Sequence, residues 1–128
     1  MDIDNFIELV DVENNFCFLP RGGLTFCNCY AKVVLASQDV FIPNALANDL
    51  ADWLDKNKSN WTKSINKPSS FGPSAVCVAV AKRQPHGHIA VMTKNGLWTW
   101  AGAHNRKKGS LARAFGSTGD VVFYWRNP

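Results

Sequence analysis

The sequence predicts an α+β domain in which N-terminal helices pack on an antiparallel β-sheet, and three features carry that expectation. Through the first half of the chain, apolar residues recur at three- and four-residue steps. From Ala75 onward the pattern changes to short apolar runs rich in valine and alanine. Asn95-Gly96, the preferred pair for a two-residue hairpin turn, then falls between two of those runs. Helices first and antiparallel strands after is the order of an α+β fold.

Residues 1–24 read as an N-terminal segment that packs on a domain spanning 25–128. Phe6 to Val10 suits a short strand or helix, and Pro20-Arg21-Gly22-Gly23 is a break. Thr25 is a good N-cap, which puts Cys27 at the second position of a helix. Tyr30, Val33, Val34 and Ser37 form one stripe of that helix, and Cys27, Ala31 and Leu35 a second, so it should be central and buried. Pro43-Asn44 opens a second helix, with Leu46, Leu50, Trp53 and Leu54 inward and Asn48, Asp49, Asp52 and Asp55 outward. Lys56 to Pro73 reads as a polar loop carrying Trp61, long enough to be functional or mobile.

Val76 to Val80 is a buried strand, His88 to Thr93 the next, and Leu97 to Ala101 its hairpin partner. Gly102 to Gly109 is a basic loop. Ser110 to Phe115 makes a helical turn or short strand, Gly116 to Asp120 a turn, and Val121 to Trp125 closes the sheet.

A chain of 128 residues, 46% hydrophobic and 19% charged, is one ordinary domain able to bury a core without staples. No run approaches the roughly 18 apolar residues of a membrane span. The acidic opening Met1-Asp2-Ile3-Asp4-Asn5 lacks the basic region of a secretory signal. The expectation is synthesis in the cytoplasm, with any work outside it following release or injection. Cys17, Cys27, Cys29 and Cys77 are then best read as free thiols. A net charge of +4 and a pI near 9.0 favour polyanionic surroundings: nucleic acid, anionic lipid or cell-wall polymer.

The chemistry centres on Cys27. A thiol at a helix start feels the macrodipole and unpaired backbone N–H groups, which favour the thiolate and can hold an oxyanion. Many cysteines merely pack, and Cys29, two residues on, points elsewhere on the helix and reads as core. A general base must reach the thiol, and His88 opens an apolar strand. If Asn95-Gly96 is a two-residue turn, Lys94 pairs with Leu97 and His88 lies opposite Ala103. His88 then shares a face with Ala90, Met92, Thr99, Ala101 and Asn105, whereas His104, Trp98 and Trp100 fall on the other. Asn105 is thereby the candidate to orient the imidazole, with a plain turn residue as the alternative.

Cys27-x-Cys29 and His86-x-His88 resemble zinc ligands in type, but i, i+2 pairs diverge on helix and strand alike, so no metal is expected. Arg106-Lys107-Lys108 with Arg113 could track phosphates beside the tryptophans, although a solvated loop is the commoner meaning.

Taken together, Thr25-Phe26-Cys27-Asn28, Ala47-Asn48-Asp49-Leu50-Ala51-Asp52-Trp53-Leu54, Gly87-His88-Ile89-Ala90-Val91, Ala101-Gly102-Ala103-His104-Asn105 and Arg113-Ala114-Phe115-Gly116 resemble papain-like bacterial cell-wall hydrolases of the NlpC/P60 and CHAP group, phage endolysin versions especially. The similarity covers about residues 24–125. It implies a papain-like fold with Cys27 as nucleophile, His88 as base and Asn105 as the third residue, His104 being the alternative third. Asn28, Trp61 and His104 are the substrate-binding candidates. Arg21 stands near where NlpC/P60 proteins often carry tyrosine, and Asn28 where they prefer serine.

Such enzymes cut amide bonds of peptidoglycan without a cofactor. The expected partner is therefore bacterial peptidoglycan, with no nucleic acid, no integral membrane segment and a monomeric chain. The protein would act as a phage lysin or as an antibacterial effector, the latter with an inhibitory immunity protein in the producing cell. Two rival classes are a catalytically silent wall- or nucleic-acid-binding module on the same scaffold, and a papain-like protease acting on protein.

Overall fold

The computed structural model describes residues 1–66 and 76–128. It is an α+β fold: N-terminal helices packed against a six-stranded antiparallel sheet. The strands are β1 (Trp61–Ser64), β2 (Cys77–Ala81), β3 (His88–Met92), β4 (Trp98–Trp100), β5 (Arg106–Gly109) and β6 (Val122–Arg126), in the spatial order β1-β6-β2-β3-β4-β5. The helices are α1 (Ile3–Val10), α2 (Cys27–Ala36), α3 (Ala47–Lys56) and α4 (Leu111–Phe115). None is long and apolar enough to cross a membrane among the described residues.

The uninterrupted apolar run of β2 follows from its central position, because both its faces are covered. Val78 and Val80 point to the layer of α2 and α3, where they meet Ile89, Val91, Val34, Leu35, Leu50 and Leu54. Cys77, Ala79 and Ala81 point to the other layer, with Ala90, Met92, Trp98, Trp100 and Phe115 of α4. Small residues on β2 leave room there for the two large indoles.

The N-terminal segment is integral to this arrangement. Asp2 caps α1 by accepting from the N–H groups of Asp4 at 2.8 Å and Asn5 at 3.3 Å. α1 packs on α2, and Val12 and Phe18 enter the main core. Its acids also neutralise the basic stretch: Lys107 pairs with Glu8 and Asp11, and Lys108 with Asp4. Arg106–Gly109 is an edge strand rather than a loop, and the Glu13 carboxylate accepts from the Lys107 N–H at 2.9 Å.

Several boundaries differ from the sequence reading. Phe26, not Thr25, is the N-cap of α2, so Cys27 is its first residue, and α3 begins at Ala47 rather than at Pro43-Asn44. Trp61 starts a strand paired with β6, so the loop expected from Lys56 to Pro73 is interrupted; its part from residue 67 lies outside the described residues.

The β3–β4 hairpin closes through Lys94–Gly96, with Thr93 N–H donating to the Leu97 carbonyl at 2.7 Å. Val91 pairs with Thr99 and Met92 with Trp98, one position from the expected register. That slip exchanges faces, because side chains alternate along a strand. Trp98 and Trp100 are core as expected, but on the face of His88, while Thr99 and Ala101 lie on the opposite one.

Candidate active site

α2 begins without a side-chain cap on its free N–H groups. Its first residue brings the sulfur instead. Burial pushes the Cys27 thiol above its ordinary value, and the nearby backbone N–H groups of Ile89, Asn28 and Cys27 itself offset this only in part. Cys27 is only 6% exposed. This corrects the expectation of a depressed thiol: a helix start favours the anion, yet desolvation wins once the sulfur is covered. Cys29 is half-buried, so the shallower of the pair is Cys29, not Cys27.

Ile89 directly follows His88, so α2 delivers the sulfur to the start of β3. The imidazole meets that point from the other side. His88 alternates with Ala90 and Met92, and its ring lies edge-on to Phe115, with centroids 4.9 Å apart. Its Nε2 is buried without a hydrogen-bond partner among the described residues. Burial, then the nearby Arg83 guanidinium, drops its pKa to about 4, so the ring is neutral at physiological pH. The structure thus brings Cys27 and His88 to one end of one strand, on opposite faces, and no hydrogen bond joins them among the described residues.

Asn105 makes no hydrogen bond to the imidazole among the described residues. Its Oδ1 accepts from the Gly102 N–H at 2.8 Å, and its Nδ2 donates to the carbonyls of Val12 at 3.0 Å and Phe18 at 2.7 Å. It ties the N-terminal segment to the turn after β4. That turn matters to His88 all the same, since a Cβ on Gly102 would stand 3.2 Å from His88 Cε1. The shifted register is the cause: carried past β4, it sets His88 across from Gly102 rather than Ala103.

Among the other candidates, Asn28 Nδ2 donates to the Ala45 carbonyl at 2.9 Å, which fixes the start of α2 to the approach to α3. Trp61 is 3% exposed and packs in the core, so its indole is not offered to a ligand. His104 is exposed, and its carbonyl accepts from Trp100 Nε1 at 2.8 Å.

Two positioning residues escaped the sequence reading. Asn48, expected on the outer face of its helix, holds the segment before His88: Oδ1 accepts from the Arg83 N–H, Nδ2 donates to the Arg83 carbonyl, and its own N–H donates to the His86 carbonyl. Arg83 donates to the carbonyls of Phe115 at 2.5 Å and Ser117 at 2.6 Å and makes a two-pronged pair with Asp120. It thereby anchors α4, whose Phe115 covers the imidazole. The only local trace of this was the Gln84-Pro85-His86-Gly87 turn, which shows that a bend occurs but not what pins it.

A cleft of about 250 Å³ lies elsewhere, between α3 and the β1-β6-β2 side of the sheet, lined by Asp55, Lys63, Lys82, Asp120 and Tyr124 among others. Neither Cys27 nor His88 lines it.

No protein-family model matches the chain, and no curated protein is significantly similar to it.

Proposed function

We propose that this protein is a cysteine-dependent peptidoglycan hydrolase, an amidase or endopeptidase, built on a papain-like scaffold. One observation carries the reading. Cys27 is the first residue of a helix with no side-chain cap, and its sulfur is buried near the start of the strand that His88 opens, where the backbone N–H groups of Ile89, Asn28 and Cys27 favour the anion. Donors that can serve a sulfur anion can equally serve the oxyanion formed when that sulfur adds to a carbonyl. The order of the cysteine, Gly-His and Ala-Gly-Ala-His-Asn motifs, like that of the NlpC/P60 and CHAP group, supports the reading, and a net charge of +4 suits an anionic wall.

In this mechanism the backbone at the start of β3 rearranges, and the neutral imidazole leaves Phe115 and takes the proton of the thiol. The sulfur then adds to the amide carbonyl, and the imidazolium protonates the leaving amine as the C–N bond breaks. The same imidazole removes a proton from water, which attacks the thioester and releases the acid and the thiol.

A second reading, a silent binding module on the same scaffold, is favoured by the buried thiol and by the imidazole resting on Phe115. Incubating purified wall with wild type, Cys27→Ala and His88→Gln, and identifying released fragments by mass spectrometry, separates the two. New amide-cleaved ends from wild type alone are expected. Wall binding without fragments from any of the three would establish the silent module. Cleavage that survives Cys27→Ala would remove the nucleophile from this proposal.

A further inference from the structure

Arg21 lies in the stretch just before the thiol. Gly22 and Gly23, at φ of 58° and 76°, make a tight turn in which Arg21 and Leu24 exchange both backbone hydrogen bonds, at 3.1 and 2.9 Å. The turn presents the Arg21 side chain to two aromatic rings. Its guanidinium carbon sits 4.8 Å from the centroid of Phe16 and 4.8 Å from that of Phe26, and Nη1 donates to the Phe16 carbonyl at 2.7 Å.

Two features mark this cation. It is held on two sides although exposed, so little side-chain freedom remains to be lost when a ligand arrives. It also has no acidic partner among the described residues; Lys32, Lys56, Lys58, Arg106, Arg113 and Arg126 share that property, but among the described residues none of them lies over two aromatic rings. A rigid, unneutralised guanidinium suits a carboxylate, which takes two parallel N–H donors. One of its five donors is engaged by Phe16, and the others remain for a ligand. Phe26 immediately precedes Cys27, so the cation stands at the entrance to α2.

We propose that Arg21, clamped by Phe16 and Phe26, binds a carboxylate of the peptide substrate and selects anionic over amidated peptides at the Cys27 site. The inference rests on the hydrolase reading for the identity of the ligand, but its test reads binding and needs no turnover. The probes are the tripeptide L-Ala–γ-D-Glu–L-Lys with its glutamyl α-carboxyl free and the same peptide with that group amidated. Calorimetric titration into Cys27→Ala protein compares their affinities, alone and combined with Arg21→Gln or Arg21→Lys.

Expected is at least about tenfold tighter binding of the acid form in Cys27→Ala, abolished by Arg21→Gln and partly kept by Arg21→Lys. Equal affinities for the two peptides, no binding of either, or a preference that persists in Arg21→Gln would each overturn the proposal. The wall-digestion experiment reports separately on hydrolysis, so either idea can fail alone. Far-UV circular dichroism of each variant confirms that an exposed substitution has left the fold intact.

Discussion

The His88 imidazole rests edge-on against Phe115, at a centroid separation of 4.9 Å, on the sheet face turned away from Cys27. It is neutral there because partial burial, and then the nearby Arg83 guanidinium, hold its pKa down. Held there, the ring resists protonation, and it becomes an effective base only once it leaves its aromatic neighbour. The consequences can be measured without knowing the substrate.

The first concerns stability against pH. Above about pH 6.5 the imidazole is neutral in both the folded and unfolded chain, so it makes no difference. Below that the unfolded chain takes up a proton, while the folded one resists until about pH 4. Stability therefore falls across this window, by up to about 3 kcal/mol from this group. Urea unfolding at pH 7 and pH 4.5 should show a smaller acid loss for His88→Gln than for wild type. Equal losses in the two proteins would mean that the imidazole is not held neutral.

Thiol reactivity follows from burial. Cys17 is exposed, whereas Cys27 is covered and its pKa raised, so little thiolate forms near neutrality. Iodoacetamide at pH 7, with sites mapped by mass spectrometry, should modify Cys17 well before Cys27, and Cys27 should gain as pH rises toward 9. Faster labelling of Cys27 than of Cys17 at pH 6 would contradict the raised thiol.

Asn105 satisfies three backbone groups that belong to different parts of the chain. Asn105→Ala should cost about 2–4 kcal/mol, read as a lower urea midpoint, because each group is left without its partner. Any loss of activity would then accompany lost stability. Unchanged unfolding with reduced turnover would instead restore the orienting role expected from the sequence.

Glycines offer a paired comparison. Gly87 adopts φ of 78°, and a Cβ there would lie 2.8 Å from the Ala81 carbonyl oxygen and closer still to the Asn48 amide. Gly22 has a similar φ of 58° but open space around it. Gly22→Ala should cost only the left-handed strain, about 1 kcal/mol, and Gly87→Ala at least about 2 kcal/mol. Thermal melts decide it, and equal shifts would show that the packing against Asn48 carries no weight.

Much of the architecture was legible before any coordinates. The change of period at residue 75 separated helical from strand regions, and the continuous run of β2 announced a strand covered on both faces. What failed was register. Asn95-Gly96 is the strongest short hairpin signal in the chain, yet Asn95 takes a left-handed conformation inside a three-residue turn, and the added residue moved every β4 side chain to the opposite face. The assignment of Asn105 to His88 fell with it. Trp61 was misread for a related reason: its polar neighbours Thr62, Lys63 and Ser64 look like loop, and only pairing with β6 makes them an edge strand.

By itself the sequence determined the order of elements, the helix-start position of the thiol within one residue, and the apolar strand that His88 opens. Those are local properties, set by spacing and by the conformations each residue favours. Only the tertiary structure decided that the Cys27 sulfur is buried near the Ile89 backbone, that the imidazole faces Phe115, and that the acids of α1 and its C-cap neutralise Lys107 and Lys108. Facing, burial and ion pairing depend on which distant segments meet, and a one-residue change in a turn is enough to alter that without altering the pattern along the chain.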